Sequence, residues 1–326
     1  MRALLDCDQP FGGKPVVGVG DPRQTAPVTR ENTKQATLEN SFLCSPLFSA
    51  FTVHELERSQ RQSGDEAFSA WIDSVGDDTD NSTTDLSAFF LSVHTATDAI
   101  QFLFPQHILE DAQQAIHRCL LSPINATVDS FNEIALRRLP NPLETRSARD
   151  SIKDAENADI LDVEAALNTL AAIPHVGVPQ RELQLKEGQL CSLMRNLNVQ
   201  RGLIKHARVV LTRINVRSIS IRLLPSRAHF LLPRINFTFS PRGSPFQIIR
   251  SQFPLRSAYA TTFHGCQGLT LDKSVIDCTT PIFAHGQRYA AISRTRTRTD
   301  TQIYTPEGTS AVVNNIVYPE LTNLEM

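Results

Sequence analysis

The stretch VVGVGDPRQ at Val16–Gln24 decides the fold that we expect. Its apolar half predicts a buried parallel strand, and Asp21, Arg23 and Gln24 follow where that strand would end. Ligands of open α/β sheets bind at the carboxyl ends of the strands, so an acid, an arginine and an amide in this position indicate a binding site. The other interpretation is that Asp21 only caps the amides of the turn that follows the strand.

The composition is typical of a soluble globular protein. The chain has 326 residues, of which 41% are hydrophobic and 20% are charged, and this length allows two or three domains. Its six cysteines form no closely spaced pair, so we expect reduced thiols and an intracellular protein. Acids at Asp6 and Asp8 interrupt any signal-peptide core, and no apolar run approaches the ~20 residues of a membrane span. We therefore expect no membrane partner.

A net charge of -2 hides a strongly basic segment. Residues 181–256 contain fourteen Lys and Arg but two acids, whereas acids concentrate in residues 65–85 and 150–164. Phenylalanines stand among these arginines, and arginines with stacking rings are the combination that binds single-stranded nucleic acid. For Phe237 and Phe239, which are two residues apart, we favour instead the core-facing side of a strand. The basic segment as a whole predicts a polyanionic partner.

Alternating strand-like and helix-like patterns predict an α/β lobe. We expect helices at residues 43–51, 67–75, 107–119 and 128–139, and strands at residues 51–56 and 120–122. Residues 143–179 are acidic and indicate helix, whereas residues 183–251 are short alternating segments that predict a small β-barrel. Because residues 253–305 return to apolar strands and polar turns, we expect the barrel to be inserted in the α/β lobe.

Four short motifs suggest chemistry to different degrees. Gly12-Gly13-Lys14-Pro15 has proline where a phosphate-binding loop needs Ser or Thr, so it predicts only a turn. His264-Gly265-Cys266 has no partner cluster of His, Cys or acids, and we expect no metal site and no reactive thiol there. Arg61 and Arg294 fit arginines that stabilise charge on a transferring γ-phosphoryl group. The alternative for each of them is an ordinary surface arginine.

Four blocks of sequence occur in the order that is typical of one family. They are Gly18–Val28 (GVGDPRQTAPV), Asn40–Arg61, Leu121–Asn132, and Phe253–Arg294, which contains YATTFHGCQGLTLD. These blocks resemble motifs of the petite-integration-frequency (PIF-type) DNA helicases of superfamily one, including the helicase part of Helitron transposons. Residues 185–203 resemble the Src-homology-like barrel that is inserted in that family. The resemblance covers nearly the whole chain, and the shared order makes it specific.

The resemblance implies an α/β fold built from P-loop NTPase (RecA-like) lobes. Residues 1–56 would be a remnant of lobe one. Residues 57–142 and 253–326 would form lobe two, and residues 143–252 would form the inserted domain with its small β-barrel.

The same resemblance implies roles for individual residues. Gln24 would sense the γ-phosphate of ATP, and Arg61 and Arg294 would be two arginine fingers, which together form the catalytic set. The residues that contact the nucleotide would be Asp21, Gln267 and Gly268. The residues along the single-stranded DNA would be Asn125, Arg195, Arg201, His264 and Thr270. No metal ligand is assigned.

The chain departs from the family pattern at several positions. His264-Gly265-Cys266 stands where the family has Asn-Lys-Ser, and Lys205-His206-Ala207 replaces the Asn-Gly-Thr turn of the barrel. The phosphate loop, its Mg²⁺-binding Ser or Thr, and the metal-holding Asp-Glu motif precede Gly18 in the family and are absent here. Without them, phosphoryl transfer loses its main charge stabilisation.

We therefore expect the C-terminal part of an ATP-dependent, five-prime to three-prime DNA helicase that hydrolyses no ATP alone. By family resemblance, the cofactors would be ATP and Mg²⁺. The partners would be single-stranded or forked DNA and the N-terminal lobe of a longer product. Family likeness implies DNA replication, repair, recombination or telomere maintenance, in the nucleus or the mitochondrion. The alternative is a non-catalytic module that binds single-stranded nucleic acid, or a pseudo-helicase derived from a transposon.

Overall fold

The computed structural model of the protein describes two compact units. The described residues are 2–29, 31, 33–56, 59–153, 167, 169, 171–173, 175–241, 244, 246–309 and 311–322. Unit 1 comprises Met1–Ala99, Leu120–Val128 and Thr261–Met326, and unit 2 comprises Ile100–Cys119 and Asp129–Ala260. The division into a lobe-one remnant, a lobe two and an inserted domain stays a prediction.

The secondary structure alternates short helices with short strands. The described α-helices are α1 (Arg2–Leu5), α2 (Lys34–Glu39), α3 (Glu66–Gly76), α4 (Ala96–Leu103), α5 (Gln106–Leu109), α6 (Ala112–Ala115), α7 (Asn125–Arg138), α8 (Gln287–Ile292) and α9 (Pro319–Thr322). The first strands are β1 (Thr83–Asp85), β2 (Leu91–Val93), β3 (Arg118–Ser122), β4 (Glu144–Ser147), β5 (Arg149–Ile152), β6 (Glu182–Leu185), β7 (Leu190–Leu193) and β8 (Arg208–Ile214). They are followed by β9 (Ser218–Leu223), β10 (His229–Pro233), β11 (Ile235–Phe239), β12 (Ile248–Gln252), β13 (Leu255–Ser257), β14 (Ala260–Thr262), β15 (Lys273–Asp277), β16 (Thr301–Tyr304) and β17 (Val312–Asn314).

A five-stranded sheet in the order β14–β3–β15–β16–β2 has most of its residues in unit 1. β15 pairs in parallel with β16, where Ile276 lies opposite Ile303, and β16 pairs in parallel with β2. After its first residue β15 is buried throughout, which is typical of a parallel strand that is covered on both faces. This pairing confirms the α/β class.

Helix α3 follows directly from its sequence. The Asp65 carboxylate accepts a 3.1 Å hydrogen bond from the Phe68 amide and so caps the N-terminus of the helix. Phe68, Ile72 and Val75 are buried on one face, as the spacing predicts. The helix expected at residues 67–75 is thus confirmed, and α7 and β3 likewise confirm the elements expected at residues 128–139 and 120–122.

The strand expected within Val16–Gly20 is wrong. No described strand pairs with these residues, and Val17 and Val19 are 87% and 92% exposed. An apolar run forms a strand only when a neighbouring strand satisfies its backbone groups, and the described part of the chain offers none here. Residues 51–56 also form no strand, for the same reason.

Two expected helices are shorter or broken. Residues 43–51 form two 3-10 turns, Phe42–Cys44 and Phe48–Ala50, because Pro46 lacks an amide donor and disfavours helix at the residue before it. Ser41 still caps the first turn by accepting a hydrogen bond from Leu43. In residues 107–119 the helical pattern is divided between α5 and α6 before β3 begins.

Unit 2 is built mainly from antiparallel strands. One sheet has the order β10–β9–β8–β7–β13, a second has the order β11–β12–β5, and β4 pairs with β6. Alternate residues of β9, namely Ile219, Ile221 and Leu223, point into one core cluster. The β-rich character of residues 183–251 is confirmed, whereas closure into a barrel stays a prediction.

Of two further expectations from the sequence that concern unit 2, one is confirmed and the other is wrong. Phe237 and Phe239 are 0% and 5% exposed, so their interpretation as core residues is confirmed. The helix expected from residue 143 is wrong over β4 and β5, because β5 pairs with β12 and Asp150 forms a buried ion pair with Arg250. Residues 154–166 lie outside the described residues.

Within the described part of the chain, no helix combines the length and apolar character that crossing a membrane requires.

Candidate functional site

The Asp21–Gln24 turn in unit 1 is organised around one carboxylate. Asp21 accepts hydrogen bonds from the Arg23 amide at 3.1 Å, from Gln24 Nε2 at 3.1 Å and from the Tyr289 hydroxyl at 3.0 Å. The Gln24 backbone amide also donates to the Asp21 backbone carbonyl oxygen at 3.1 Å, which closes the turn. Asp21 therefore caps the turn, as the second sequence interpretation has it, and the Gln24 side-chain amide is directed at Asp21.

Arg23 ties this turn to helix α3. Its Nη1 lies 2.8 Å from Asp73 Oδ1, and its guanidinium carbon lies 5.1 Å from the centre of the Tyr289 ring. Burial disfavours the charged form, but Tyr289, Asp21 and other acids outweigh it and raise the pKa of Arg23. The Arg23 side chain lies so close to the backbone of α3 that position 76 requires glycine, because a Cβ there would lie 2.7 Å from Arg23 Cδ. Sequence reasoning missed Asp73 and Tyr289, since both are far from Arg23 in the chain.

Arg61 and Arg294 meet at the segment that follows α8. Arg61 Nη1 donates to the Ser293 carbonyl oxygen at 2.7 Å, and Arg61 Nε donates to Thr270 Oγ1 at 3.2 Å. Arg294 is 1% exposed, and its Nη2 donates to Ser293 Oγ at 2.6 Å. Gln62, which is also buried, fixes the same segment by donating to the Ser293 and Thr295 carbonyl oxygens. The structure thus brings three of the predicted site residues together.

The electrostatics of this arginine pair favour an anion. Burial, followed by the positive charge of Arg294, lowers the pKa of Arg61. Among the described residues, the buried Nε of Arg294 has no hydrogen-bond partner. A buried donor without a partner carries a desolvation cost that a bound anion would offset. A phosphate group is the natural anion, because guanidinium groups match its oxygens.

A cavity of about 650 Å³ opens beside Arg61, a volume within the range of small-molecule sites. It is lined by Gln60, Arg61, Ser63, Gly64, Thr270, Arg296 and Thr297. Arg296 is a second cation that the sequence analysis did not assign. The repeated arginine of Ser293-Arg294-Thr295-Arg296 was the signal that could have indicated it.

The turn after β14 carries the remaining predicted nucleotide contacts. Gln267 is exposed and donates from Nε2 to the Thr25 carbonyl oxygen at 3.3 Å, next to the Asp21–Gln24 turn. Gly268 has φ +79°, and an added Cβ would meet open space. Burial lowers the pKa of His264, because it disfavours the charged form of the ring. Asn125 is an exposed residue at the start of α7.

The residues fit a phosphate anion better than a metal ion. Among the described residues, no group of three or more His, Cys, Asp or Glu could hold a metal ion. The Asp21 carboxylate, the acid nearest to the predicted sensor, already accepts hydrogen bonds from three donors. Thus the arginine pair supports phosphate binding, whereas the described site offers no cluster of acids that could hold Mg²⁺.

Only some arginines of unit 2 remain available to a partner. Arg250 is buried in an ion pair with Asp150 at 2.9 Å, and Arg208 is buried and donates to the Ile116 carbonyl oxygen. Arg195 and Arg201, in contrast, are exposed and lie 4.6 and 4.7 Å from the ring centres of Phe237 and Phe230. The interpretation of the whole basic segment as an anion-binding surface is therefore too broad.

Three of the five phenylalanine rings in the basic segment are unsuited to base stacking. Phe237, Phe239 and Phe253 are all at most 5% exposed, and each has an arginine guanidinium over its ring. At these three positions the predicted combination of arginines with open rings is replaced by arginines that contact core rings.

Two family models match the chain. PIF1-like helicase matches residues 1–85, and the 2B domain of DNA helicase Pif1 matches residues 168–214. Among curated proteins, the ATP-dependent DNA helicase PIF1 of Xenopus laevis is 28% identical over 302 residues, covering 90% of this chain and 41% of the relative. The Homo sapiens protein of the same name is 29% identical over 306 residues, with the same coverages. The chain thus spans about two fifths of the length of these relatives.

Solved structures agree on the fold. The Bacteroides Pif1 helicase in complex with ADP-AlF3 and ssDNA superposes with a TM-score of 0.66 at 21% identity, covering 98% of this chain and 68% of that one. The Candida albicans Pif1 helicase gives a TM-score of 0.61 at 20% identity, covering 93% and 67%. These likenesses confirm a RecA-like helicase fold of mixed α/β content. Both family models and the curated relatives are likewise PIF1-type helicases, so this chain is similar to that type in sequence as well.

Proposed function

We propose that this chain, a relative of the PIF1-type helicases of superfamily one, is the C-terminal part of an ATP-dependent DNA helicase. In this role it supplies the arginines that sense a nucleotide phosphate and a surface that follows single-stranded DNA. The observation that carries the proposal is the convergence of Arg61 and Arg294 on one segment, with a buried Arg294 Nε for which the described part of the chain offers no hydrogen-bond partner.

The arginine pair supports the phosphate-sensing role. Two guanidinium groups that share the Ser293–Arg294 segment repel each other, and an oxyanion between them would remove that repulsion. Arg294 Nε, which has no hydrogen-bond partner among the described residues, would donate to it, and Arg61 would donate from N–H groups other than the two that bind Thr270 and Ser293. Gln24 would join them as the phosphate sensor once its amide leaves Asp21. Asp21, Gln267 and Gly268 would border the same nucleotide.

Hydrolysis requires groups that these 326 residues do not provide. Mg²⁺ bound with ATP would neutralise the charge that develops during phosphoryl transfer. The sequence offers arginines for the phosphate but contains no phosphate-loop motif, and its described residues include no suitable carboxylate set. A partner lobe in a longer product would supply them, so the chain alone hydrolyses no ATP.

DNA binding rests on the exposed basic loop at residues 194–206 of unit 2. The loop carries Arg195, Arg201 and Lys205, all exposed, and contains no acid. Contacts with the Phe237 and Phe230 rings restrain the two guanidinium groups, which lowers the entropy lost when they bind phosphates. In unit 1, Asn125, His264 and Thr270 would contact single-stranded DNA. Such an activity would place the protein with cellular DNA, in the nucleus or the mitochondrion.

Binding of fluorescent oligo(dT) to the full chain, measured by anisotropy against salt, tests the DNA surface. We expect Arg195→Gln with Arg201→Gln to weaken binding and to reduce the slope of log affinity against log salt by about 1.4, or ~0.7 for each phosphate that is no longer neutralised. Arg217→Gln with Arg227→Gln is the matched control, because these two arginines are also exposed but lie in the β8–β9 and β9–β10 turns. An equal reduction in the control would show that only net charge matters and would contradict the proposed surface.

The second candidate is a non-catalytic module that binds single-stranded nucleic acid. The exposed arginines of unit 2 favour it, since they need no nucleotide to act. An ATP analogue discriminates the two functions. The helicase-derived function expects the analogue to change DNA affinity once a lobe with a phosphate loop is supplied, whereas the simple module expects no change.

A further inference from the structure

His285 occupies a buried position between two segments of unit 1. It is 1% exposed and directly precedes Gly286 and α8. Its Nε2 lies 2.8 Å from the Pro22 carbonyl oxygen, and its Nδ1 lies 2.9 Å from the Tyr318 amide nitrogen. A backbone amide only donates and a carbonyl oxygen only accepts, so Nδ1 must be the acceptor and Nε2 must carry the proton. The two bonds therefore select one neutral tautomer.

One of the two segments is residues 311–322, which we call the strap. β17 of the strap pairs with β1, and Asn315 Nδ2 donates to the Val75 carbonyl oxygen at 2.7 Å. The Ile316 carbonyl oxygen accepts the Gly286 amide at 3.0 Å. The Tyr318 ring stacks on His285 with ring centres 5.3 Å apart. The strap is thus fixed to α3 and to the residues that enter α8.

The other segment is the Asp21–Gln24 turn, which no described strand supports. In addition to the contacts of Arg23 and Tyr289, two contacts hold this turn in place. Pro22 is hydrogen-bonded to His285, and the backbone of the turn packs against Gly286. A Cβ at position 286 would lie 2.5 Å from the Arg23 carbonyl oxygen, so the turn lies directly against this backbone. His285 is the side chain that connects the turn with the strap.

We propose that His285 is a positioning residue that fixes the Asp21–Gln24 turn to the strap through its neutral, Nε2-protonated ring. By holding Pro22, it sets the place from which Gln24 reaches a phosphate. This use of the turn rests on the proposed function, whereas the positioning itself does not require a nucleotide.

A second proton on the ring would convert Nδ1 into a donor that faces the Tyr318 amide, and the bond to the strap would break. Burial lowers the pKa of His285 from 6.5, against the opposing effects of the Pro22 carbonyl and the Asp21 carboxylate. The other charged groups near this contact are Arg23 on the turn, Lys34 above the Tyr318 ring, and Glu320, which pairs with Lys34.

The direction of the pH dependence follows from that lowered pKa. The unfolded chain binds this proton more readily than the folded chain does. The stabilisation that the neutral His285 ring contributes is therefore fully present above about pH 6.5. It weakens as the pH falls from there through the pKa of His285 in the folded chain.

Two isosteric variants of the full chain separate the two bonds. His285→Gln keeps a distal donor for Pro22 but loses the Nδ1 acceptor, and His285→Asn keeps a proximal acceptor but loses the distal donor. At pH 7.5 we expect His285→Asn to accelerate amide hydrogen exchange in residues 21–26 by about tenfold, and His285→Gln to do so in residues 315–322. His54→Ala, at an exposed histidine, is the control and should change neither segment.

Nitrogen chemical shifts of the His285 ring supply a readout that simple packing would not move. We expect the Nε2-protonated tautomer at pH 7.5, and faster exchange of the wild-type strap below pH 6 than at pH 7.5 after correction for intrinsic rates. An Nδ1-protonated ring, or variants that affect both segments equally, would overturn the proposal. Because no measurement involves ATP or DNA, failure of oligo(dT) binding would count against the proposed function alone.

Discussion

Two glycines with similar backbones differ in what surrounds them. Gly286 has φ +71°, and a Cβ there would lie 2.5 Å from the Arg23 carbonyl oxygen. Gly268 has φ +79°, but nothing lies within 4 Å of its Cβ position. The first glycine is therefore required by both backbone conformation and packing, and the second by conformation alone.

Alanine at each of these positions should separate the two effects. We expect Gly268→Ala to lower the free energy of unfolding by about 1 kcal/mol, and Gly286→Ala to lower it by about 3 kcal/mol or more, because backbone overlap adds to the same strain. Urea denaturation of both variants measures the difference. Equal losses would show that the turn can move away from Gly286 without cost.

The arginine pair makes a prediction at the scale of single residues. Inorganic triphosphate should raise the melting temperature of the chain, because a ligand that binds only the folded state stabilises it. Arg294→Gln should remove most of this gain, since it removes the buried guanidinium whose Nε has no partner. Arg227→Gln, at an exposed arginine in unit 2, is the matched control. An undiminished gain in Arg294→Gln would exclude Arg294 from the anion site.

Helix α3 shows how one element depends on a distant residue. Asp65 caps the helix locally, and its carboxylate also receives two hydrogen bonds from Arg298, at 2.8 and 3.0 Å. The Arg298 hydrogen bonds, together with that of the Phe68 amide, lower the pKa of Asp65 below 3.8. The cap could be predicted from sequence, but Arg298 could not.

Substitutions of Asp65 should distinguish the cap from the charge. We expect Asp65→Ala to cost about 1 kcal/mol through the lost cap, whereas Asp65→Asn keeps a cap and loses only the charge. A carboxylate with a lowered pKa stabilises the fold above its unfolded pKa, and this contribution fades as the pH falls through the folded pKa. The stability difference between the wild type and Asp65→Asn, measured by urea denaturation, should therefore shrink as the pH falls from about 5. A difference that is constant with pH would contradict the role of Arg298.

A helix or strand could be predicted correctly from the sequence where the residues that cause it lie close together in the chain. The cap and apolar stripe of α3 lie within a dozen consecutive residues, so the sequence predicted this helix correctly. The strand within Val16–Gly20 and the helix over β4 and β5 were wrong, because strand formation depends on a partner elsewhere in the chain. Pro46 was a local signal that should have excluded a continuous helix over residues 43–51.

At the scale of the whole molecule, we expect no DNA-stimulated ATP hydrolysis by the purified chain. Arginine fingers accelerate phosphoryl transfer by ~10³ to 10⁵, but they act on a phosphate that a separate loop and Mg²⁺ must hold. Phosphate release in the presence of oligo(dT) measures this, with Arg294→Ala as the control for contaminating enzymes. Hydrolysis that Arg294→Ala abolishes would show that the chain is a complete ATPase.

The sequence by itself determined the family likeness, the β-rich segment, and which residue types carry the proposed chemistry. These features depend on the order of short motifs and on spacings of two to four residues. Only the tertiary structure decided that Asp21 is engaged by Tyr289, that Arg61 meets Arg294, and that Arg250 is buried while Arg195 is exposed. Arg61 and Asp21 have these partners more than 200 residues away in the chain, and packing rather than local pattern sets which distant charges meet and which remain in water.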